Sequence, residues 1–377
     1  MRILYAHTGT SPYDHTFVNF LSSTNEVDLV TFDASAEAAR LFGRSMPTRV
    51  RFHRYDLNRY CLNHIPKTLM LDCLGIPILS ERLSSLNPEI LVSGWIPTYG
   101  FCAAISGFHP QVLLVWGSDI LLLPKRSRLN LLMTLYALRI ADLVVVDSIV
   151  QRNAAIEYGC SPAKLLSFPW AVDLDLFKPE LVSRKHNRGG KHTILCARSH
   201  EAVYGVDYLL QAIPLVLSRI PTARFVLAGS GTLTDRYREF VRKQGFAEHV
   251  DFLGPVPHDR MPEIISSCDV YVTPSLSDGS SATLLEAMAC AKPCVGTDIP
   301  GNQEWIRTGI NGILVPTRDP KALADALITV LMEPGTAGEL GCEARSVVEQ
   351  KANLKQNLRA FEKRLSELVM RFNYACK

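Results

Sequence analysis

Two acids, Asp278 and Glu286, lie in the stretch of this chain best equipped for chemistry: VTPSLSDGSSATLLEAMACAKPCVGTDIPGNQEWIRTGINGILV, residues 272–315. Its pattern predicts a strand ending at Ser275 and a loop holding Asp278, Gly279, Ser280 and Ser281. A helix then runs through LLEAMA and carries Glu286. Loop amides at a helix N-terminus carry partial positive charge and bind phosphate oxygens. A carboxylate in the loop and another on the helix add acceptors for sugar hydroxyls. That combination suits a nucleotide sugar. An ordinary helix with a Ser N-cap accounts for one serine. It does not account for acid, Gly, LLEAMA, Pro and Gly-Asn in that order.

The stretch resembles the donor-binding signature of the retaining glycosyltransferases of family 4 (the group 1 glycosyltransferases), which have the GT-B fold. The resemblance covers nearly the whole chain, strongly from Thr193 to Thr317 and more weakly before that. It implies that Asp278 contacts the donor hexose and that Glu286 holds the nucleotide ribose. One departure is visible: the family usually has Glu, then Gly-Phe-Gly, where this chain has Asp-Gly-Ser-Ser. Ser280 and Ser281 then offer extra hydroxyl and amide donors.

After the predicted strand TILCA comes Arg198, matching a family Arg that binds the donor diphosphate. Tyr204 stands where the family has a second cation, a Lys. A bidentate guanidinium neutralises the departing diphosphate, where negative charge develops. The second cation then comes from elsewhere, with Lys292 and Arg307 as candidates, or is absent. Tyr204 is open between ligand contact and packing. Backbone groups near Gly254 and Val256 are expected beside the base. Gly301 and Asn302 are expected in a tight turn near the donor, and Glu304 reads equally well as structural.

The first half offers fewer signals. The loop HTGTSPYDH, residues 7–15, follows the first strand, and Gly9 permits close backbone approach to a ligand. By resemblance this loop meets acceptor and donor phosphates, with Asp14 and His15 as candidates beside a plain strand-to-helix turn. Trp116 stands where many relatives have a His. It can stack on a sugar face, and Asp119 can accept from an acceptor hydroxyl or act as a base. Ser118 or Asp119 as a helix N-cap beside a buried Trp is the alternative. Trp95 and Tyr99, in SGWIPTYG, form an acceptor surface or pack in the core. The expected catalytic set is thus Asp278, Glu286, Arg198 and Asp119.

These residues need elements to position them. Strand-like runs alternate with helical patterns, which predicts parallel sheets covered on both faces. Runs at 2–6, 27–32, 90–93, 112–116 and 143–146 build one doubly wound domain. Runs at 193–197, 224–228, 250–253, 270–273 and 294–296 build a second. The polar, basic, Gly-containing stretch 178–192 reads as a linker. The expected division is an acceptor-side Rossmann-like domain over 1–177 and a nucleotide-sugar-binding one over 193–352, with a cleft between them. By resemblance, a last helix within 353–377 packs back on the first domain. Ligands in such sheets sit beyond the strands' carboxyl ends.

Composition bounds the rest. With 377 residues, 47% hydrophobic and net charge +3, the chain suits two or three globular domains rather than a disordered or fibrous protein. The N-terminus lacks a signal-peptide apolar core, and no apolar run approaches the ~20 residues that span a bilayer. Ten scattered cysteines form no Cys-x-x-Cys pair, so reduced thiols in a cytoplasmic protein are expected. From Arg40 to Lys67 basic residues outnumber the single Asp56, and Lys125, Arg126 and Arg128 form a second cluster. An anionic membrane surface or simple solvation fits these charges. No nucleic-acid motif accompanies them.

The expected function is retaining transfer of a hexose from a UDP- or GDP-sugar to a glycan or lipid-linked acceptor. No metal or other cofactor is expected, and the setting is synthesis of a cell-surface polysaccharide or glycoconjugate. A sugar-nucleotide epimerase of the same fold and a non-catalytic glycosyltransferase-like subunit are the alternatives.

Overall fold

The computed structural model describes residues 1–7, 12–32, 49–55, 67–167, 169, 172–179 and 192–375, without the side chains of 12–15, 67–73 and 375. The chain divides into two compact units, Met1–Phe168 with Lys355–Lys377, and Pro169–Leu354.

The first unit is built on β1 (Arg2–Ala6), β2 (Glu26–Thr31), β3 (Val50–Arg54), β4 (Ile90–Gly94), β5 (Gln111–Leu114), β6 (Leu143–Val146) and β7 (Leu165–Ser167). They form one sheet in the order β3-β2-β1-β4-β5-β6-β7, and the paired neighbours run parallel. Runs such as LVVV and QVLL are buried along their whole length, as helices on both faces of a parallel sheet require. Burying each such aliphatic side chain contributes about 1.5–3 kcal/mol. Lys355–Lys377 joins this unit. Phe361 meets Phe17 edge-on at 5.6 Å, and Glu362 accepts from Asn25 Nδ2 at 2.8 Å.

The second unit contains β8 (Thr193–Cys196), β9 (Arg224–Ala228), β10 (Val250–Gly254), β11 (Val270–Thr273), β12 (Cys294–Thr297) and β13 (Ile313–Val315). Their order is β10-β9-β8-β11-β12-β13. Helices Val206–Arg219 and Pro320–Met332 pack on one face, with Leu209, Ile213, Leu323 and Leu327 in a shared core. This unit starts at Pro169, ahead of the expected boundary at 177. Val172 makes a parallel bridge to Asn353, and Phe177 is buried in the core with Tyr271 and Trp305.

Three strands are additional to the sequence reading: β3, β7 and β13. Each is an outer strand of its sheet, and two have only three residues. β3 lies inside the basic stretch read for its charge. Its Arg51 donates to both oxygens of Asp28, at 2.8 and 2.7 Å, and His53 pairs with the same carboxylate. Arg49 donates to the Ser23 carbonyl. Two of the arginines assigned to a membrane patch are therefore engaged at the sheet edge. Arg40, Arg44 and Arg59 lie outside the described residues, as does the Lys67 side chain.

In both sheets the strand order reverses once, between β1 and β4 and between β8 and β11. Loops leaving the two strands diverge at such a point and open a crevice at their carboxyl ends. His7 follows β1 and Trp95 follows β4; Arg198 follows β8 and the Ser275–Ser281 loop follows β11.

Candidate functional site

At the β8/β11 reversal the structure brings together the residues expected to bind a donor. Arg198 Nη2 donates to Asp278 Oδ2, forming an ion pair. Arg198 Nη1 donates to Ser281 Oγ at 2.6 Å. The same Ser281 Oγ caps helix Ala282–Ala289 by accepting from the Leu284 amide. One hydroxyl thus fixes both the helix start and the guanidinium. Burial opposes the charge on Arg198, but the attraction of Asp278, added to that of Tyr271, Tyr204 and Cys196, outweighs it and holds the guanidinium protonated above its ordinary range. Its Nε is buried with no hydrogen-bond partner among the described residues.

The loop geometry is held by close backbone contacts. A Cβ on Gly301 would overlap the carbonyls of Asp278 and Gly279, so only glycine lets helix Pro300–Gln303 pack on the acid loop. Asn302 next to it is buried and donates to the Thr297 carbonyl at 2.8 Å. Trp305 Nε1 donates to Ser280 Oγ at 3.2 Å. Gly205 sits at φ +62 against the Pro274 carbonyl, and Gly229 sits against the Arg198 carbonyl. Gly254, at φ +70, ends β10 with a register shift. Val256 follows, partly buried against the core that includes Tyr271 and Trp305.

Tyr204 is neither a free ligand contact nor plain core packing. Its ring lies under Arg198, 4.2 Å from the guanidinium carbon to the ring centroid. The candidate replacement cation Lys292 is corrected: its Nζ donates to the carbonyls of Ser266 and Cys268, at 2.7 and 2.8 Å. Both precede β11, at the amino end of the strand, away from Arg198. Arg307 is exposed.

Glu286 is buried, with Oε1 accepting from His258 Nε2 at 3.0 Å and Oε2 without a partner among the described residues. Burial raises its pKa, and the hydrogen bond and charge of His258 pull it back. His258 is itself raised, chiefly by the hydrogen bond to Glu286. Phe177 touches the imidazole edge-on at 5.3 Å. Sequence reasoning missed His258. The signal was available: it follows β10 by a few residues, immediately after the backbone positions Gly254 and Val256 expected at the base.

The first unit has its own cluster at the β1/β4 reversal. His7 lies 4.8 Å from the Trp116 ring and stacks on Tyr99 at 6.0 Å, centroid to centroid. A Cβ on Gly94 would overlap both His7 and Trp116. Trp95 adopts φ +66, a left-handed conformation rare for a large side chain, at the start of a π-helical turn over Ile96–Gly100. Such outliers persist where the surroundings enforce them. His7, too, was passed over in favour of its loop neighbours.

Two expectations are corrected here. Asp119 is fully buried, and its carboxylate accepts from the amides of Trp116 at 3.0 Å, Ile96 at 3.2 Å and Gly117. Burial pushes its pKa up to about 6 against those amides. Its oxygens serve the backbone turn, so it is a positioning residue rather than a base reaching an acceptor. Tyr99 is a core residue. It is 2% exposed, stacks on Phe32 at 4.8 Å, and its hydroxyl accepts from the Phe32 amide at 2.9 Å. Trp95 and Trp116 remain partly exposed. Gly9 lies outside the described residues, as do the side chains of Asp14 and His15.

Both halves of the chain are similar to known proteins. The family model described as glycosyl transferase 4-like matches residues 2–148, and the one described as glycosyl transferases group 1 matches residues 191–333. A similar curated protein is the GDP-mannose-dependent alpha-(1-6)-phosphatidylinositol monomannoside mannosyltransferase of Mycobacterium tuberculosis. It is 25% identical over 304 residues, 75% of this chain and 77% of that protein. Among solved structures, Anabaena HepE in complex with UDP-glucose superposes with a TM-score of 0.79 at 18% identity, covering 98% of this chain and 100% of that one. Sucrose-phosphate synthase from Thermosynechococcus elongatus superposes with a TM-score of 0.80 at 19% identity, covering both chains fully. These likenesses, with the two parallel sheets, establish the GT-B fold.

Proposed function

The chain belongs to the group 1 glycosyltransferases, and on that premise we propose that it moves a hexose from a UDP- or GDP-sugar to a glycan or lipid-linked acceptor with retention. The observation that carries this reading is the join of Arg198, Asp278 and Ser281 at the β8/β11 reversal, with the unshared Oε2 of buried Glu286 on the helix that Ser281 caps. The described residues fit the parts of a nucleotide sugar. Arg198 and the loop amides of Gly279–Ser281 take the diphosphate, Asp278 the hexose hydroxyls, and Glu286 the ribose.

The chemistry follows from that placement. The bond between the anomeric carbon and the donor phosphate oxygen breaks as charge builds on the diphosphate, which Arg198 stabilises. The acceptor oxygen attacks the same face, and its proton passes to the leaving diphosphate. No enzyme nucleophile enters, and the fixed guanidinium takes the role a metal would otherwise fill. Support for a nucleotide-diphosphate donor comes from both sides of the comparison, since the mycobacterial relative is named for GDP-mannose and HepE was solved with UDP-glucose. The acceptor, in this reading, belongs to cell-surface polysaccharide or glycoconjugate synthesis, and the protein works in the cytoplasm at the inner face of a membrane. No described helix is long and apolar enough to cross a membrane, and the reading is of peripheral association.

The test is a donor screen with UDP- and GDP-hexoses in EDTA, with membrane extract as acceptor and the product anomer read by NMR. An alpha product from an alpha donor, formed in EDTA, is the expected result. An inverted product or strict dependence on added metal would overturn the mechanism.

A further inference from the structure

We propose that helix Arg128–Ile140 of the first unit carries a face that docks on an anionic lipid bilayer. The inference rests on the peripheral-membrane reading above and names its surface. Leu129, Leu132, Leu135 and Tyr136 on this helix are 40, 63, 37 and 39% exposed, while Met133, Thr134, Ala137 and Leu138 are buried. Spacings of three and four put the exposed side chains on one face. The neighbouring helix Phe101–Ser106 extends the patch. Phe101 meets the Tyr136 ring edge-on at 6.1 Å, and Ile105, one turn further along, is 42% exposed.

A helix of a globular unit turns polar residues toward water. A contiguous apolar patch on two adjacent helices marks an interaction site instead. The charges around it select the occupant. Lys125, Arg126 and Arg128 are exposed at the start of the helix and Arg139 at its end, and from Ile120 to Ala141 the chain has no acidic residue. An apolar stripe with an all-basic rim is the pattern of an interfacial helix: the leucines enter the acyl boundary and the cations meet lipid phosphates. A second copy of the chain would bring this basic rim against itself, since a two-fold interface uses the same patch twice.

The experiment is co-sedimentation of the full chain with vesicles of phosphatidylcholine alone or with about one-third phosphatidylglycerol, at low and high salt. Binding to the anionic vesicles only, weakened by salt, is expected. The double variant Leu132→Glu/Leu135→Glu should reduce the bound fraction about tenfold or more. The triple variant Lys125→Gln/Arg126→Gln/Arg128→Gln should remove most of the salt dependence. Both sets of positions are exposed, so melting temperature and nucleotide binding should stay at the wild-type level. Wild-type-like sedimentation of both variants would overturn this surface while leaving the membrane reading standing. No binding of the wild type to anionic vesicles would overturn both. A concentration-dependent dimer dispersed by Leu132→Glu would assign the face to a second copy.

Discussion

Beneath the Arg198 guanidinium, Tyr204 presents a π face where the family's second cation stands. A buried guanidinium over an aromatic ring gains about 0.5–2 kcal/mol, so the tyrosine supports one cation instead of supplying another. Tyr204→Phe keeps the ring and should bind nucleotide as the wild type does. Tyr204→Ala should weaken binding several-fold or more, measured by calorimetric titration. Equal loss in both variants would assign the effect to the hydroxyl. His258 acts similarly on Glu286. In the proposed ribose-binding role Glu286 must be ionised to accept both hydroxyls; burial favours its protonated form, and His258 opposes that. His258→Ala removes the opposing charge, so Glu286 protonates at higher pH. The acid limb of nucleotide binding should then move upward in pH relative to the wild type, with Asp173 and Asp259 the other acids facing His258. Superimposable pH profiles would leave His258 with a packing role only. At this scale Asp278, Glu286 and Arg198 were singled out by residue order and family resemblance, and the structure joins Arg198 to Asp278. Their partners were not: His258 meets Glu286 only when the segment after β10 reaches helix Ala282–Ala289, and Tyr204, six residues after Arg198, comes under it only through the turn over Ala202–Tyr204.

At the scale of elements, one buried carboxylate holds a strand-end turn together. Asp119 accepts amides from both the Trp116–Gly117 turn and the start of the π-helical turn at Ile96. Each amide left unpaired in a buried site costs about 1–3 kcal/mol. Asp119→Ala should therefore lower unfolding free energy by at least that much in urea titration. Its effect on nucleotide binding should be small, because Glu286 and Arg198 belong to the other unit. A stable Asp119→Ala variant that binds nucleotide but transfers no sugar would restore Asp119 as a base. Central strands were readable because both faces are buried and their runs are continuously apolar. β3 escaped because VRFHR reads as charge, yet its Arg51 and His53 point at one carboxylate on β2. β7 and β13 are too short to carry a pattern. Tyr99 was open between acceptor surface and core because an aromatic after a strand end suits either, and the π-helical turn holds it in the core.

At the scale of the whole molecule, the two parallel sheets followed from strand–helix alternation, and the GT-B fold from the family resemblance. Both sheets place their candidate residues at the single reversal of strand order, which is where such sheets open. The linker and the basic stretch carry no periodicity, so sequence gave them charge and no geometry. The account as a whole depends on Glu286 and Arg198 forming one nucleotide-diphosphate site. That claim is tested most directly by titrating UDP and GDP calorimetrically, in EDTA, into the wild type and Glu286→Gln. The account predicts that one nucleotide binds the wild type and that Glu286→Gln loses about tenfold or more, roughly 1.4 kcal/mol, at unchanged melting temperature. Unaltered binding by Glu286→Gln, or no binding of either nucleotide to the wild type, would contradict it.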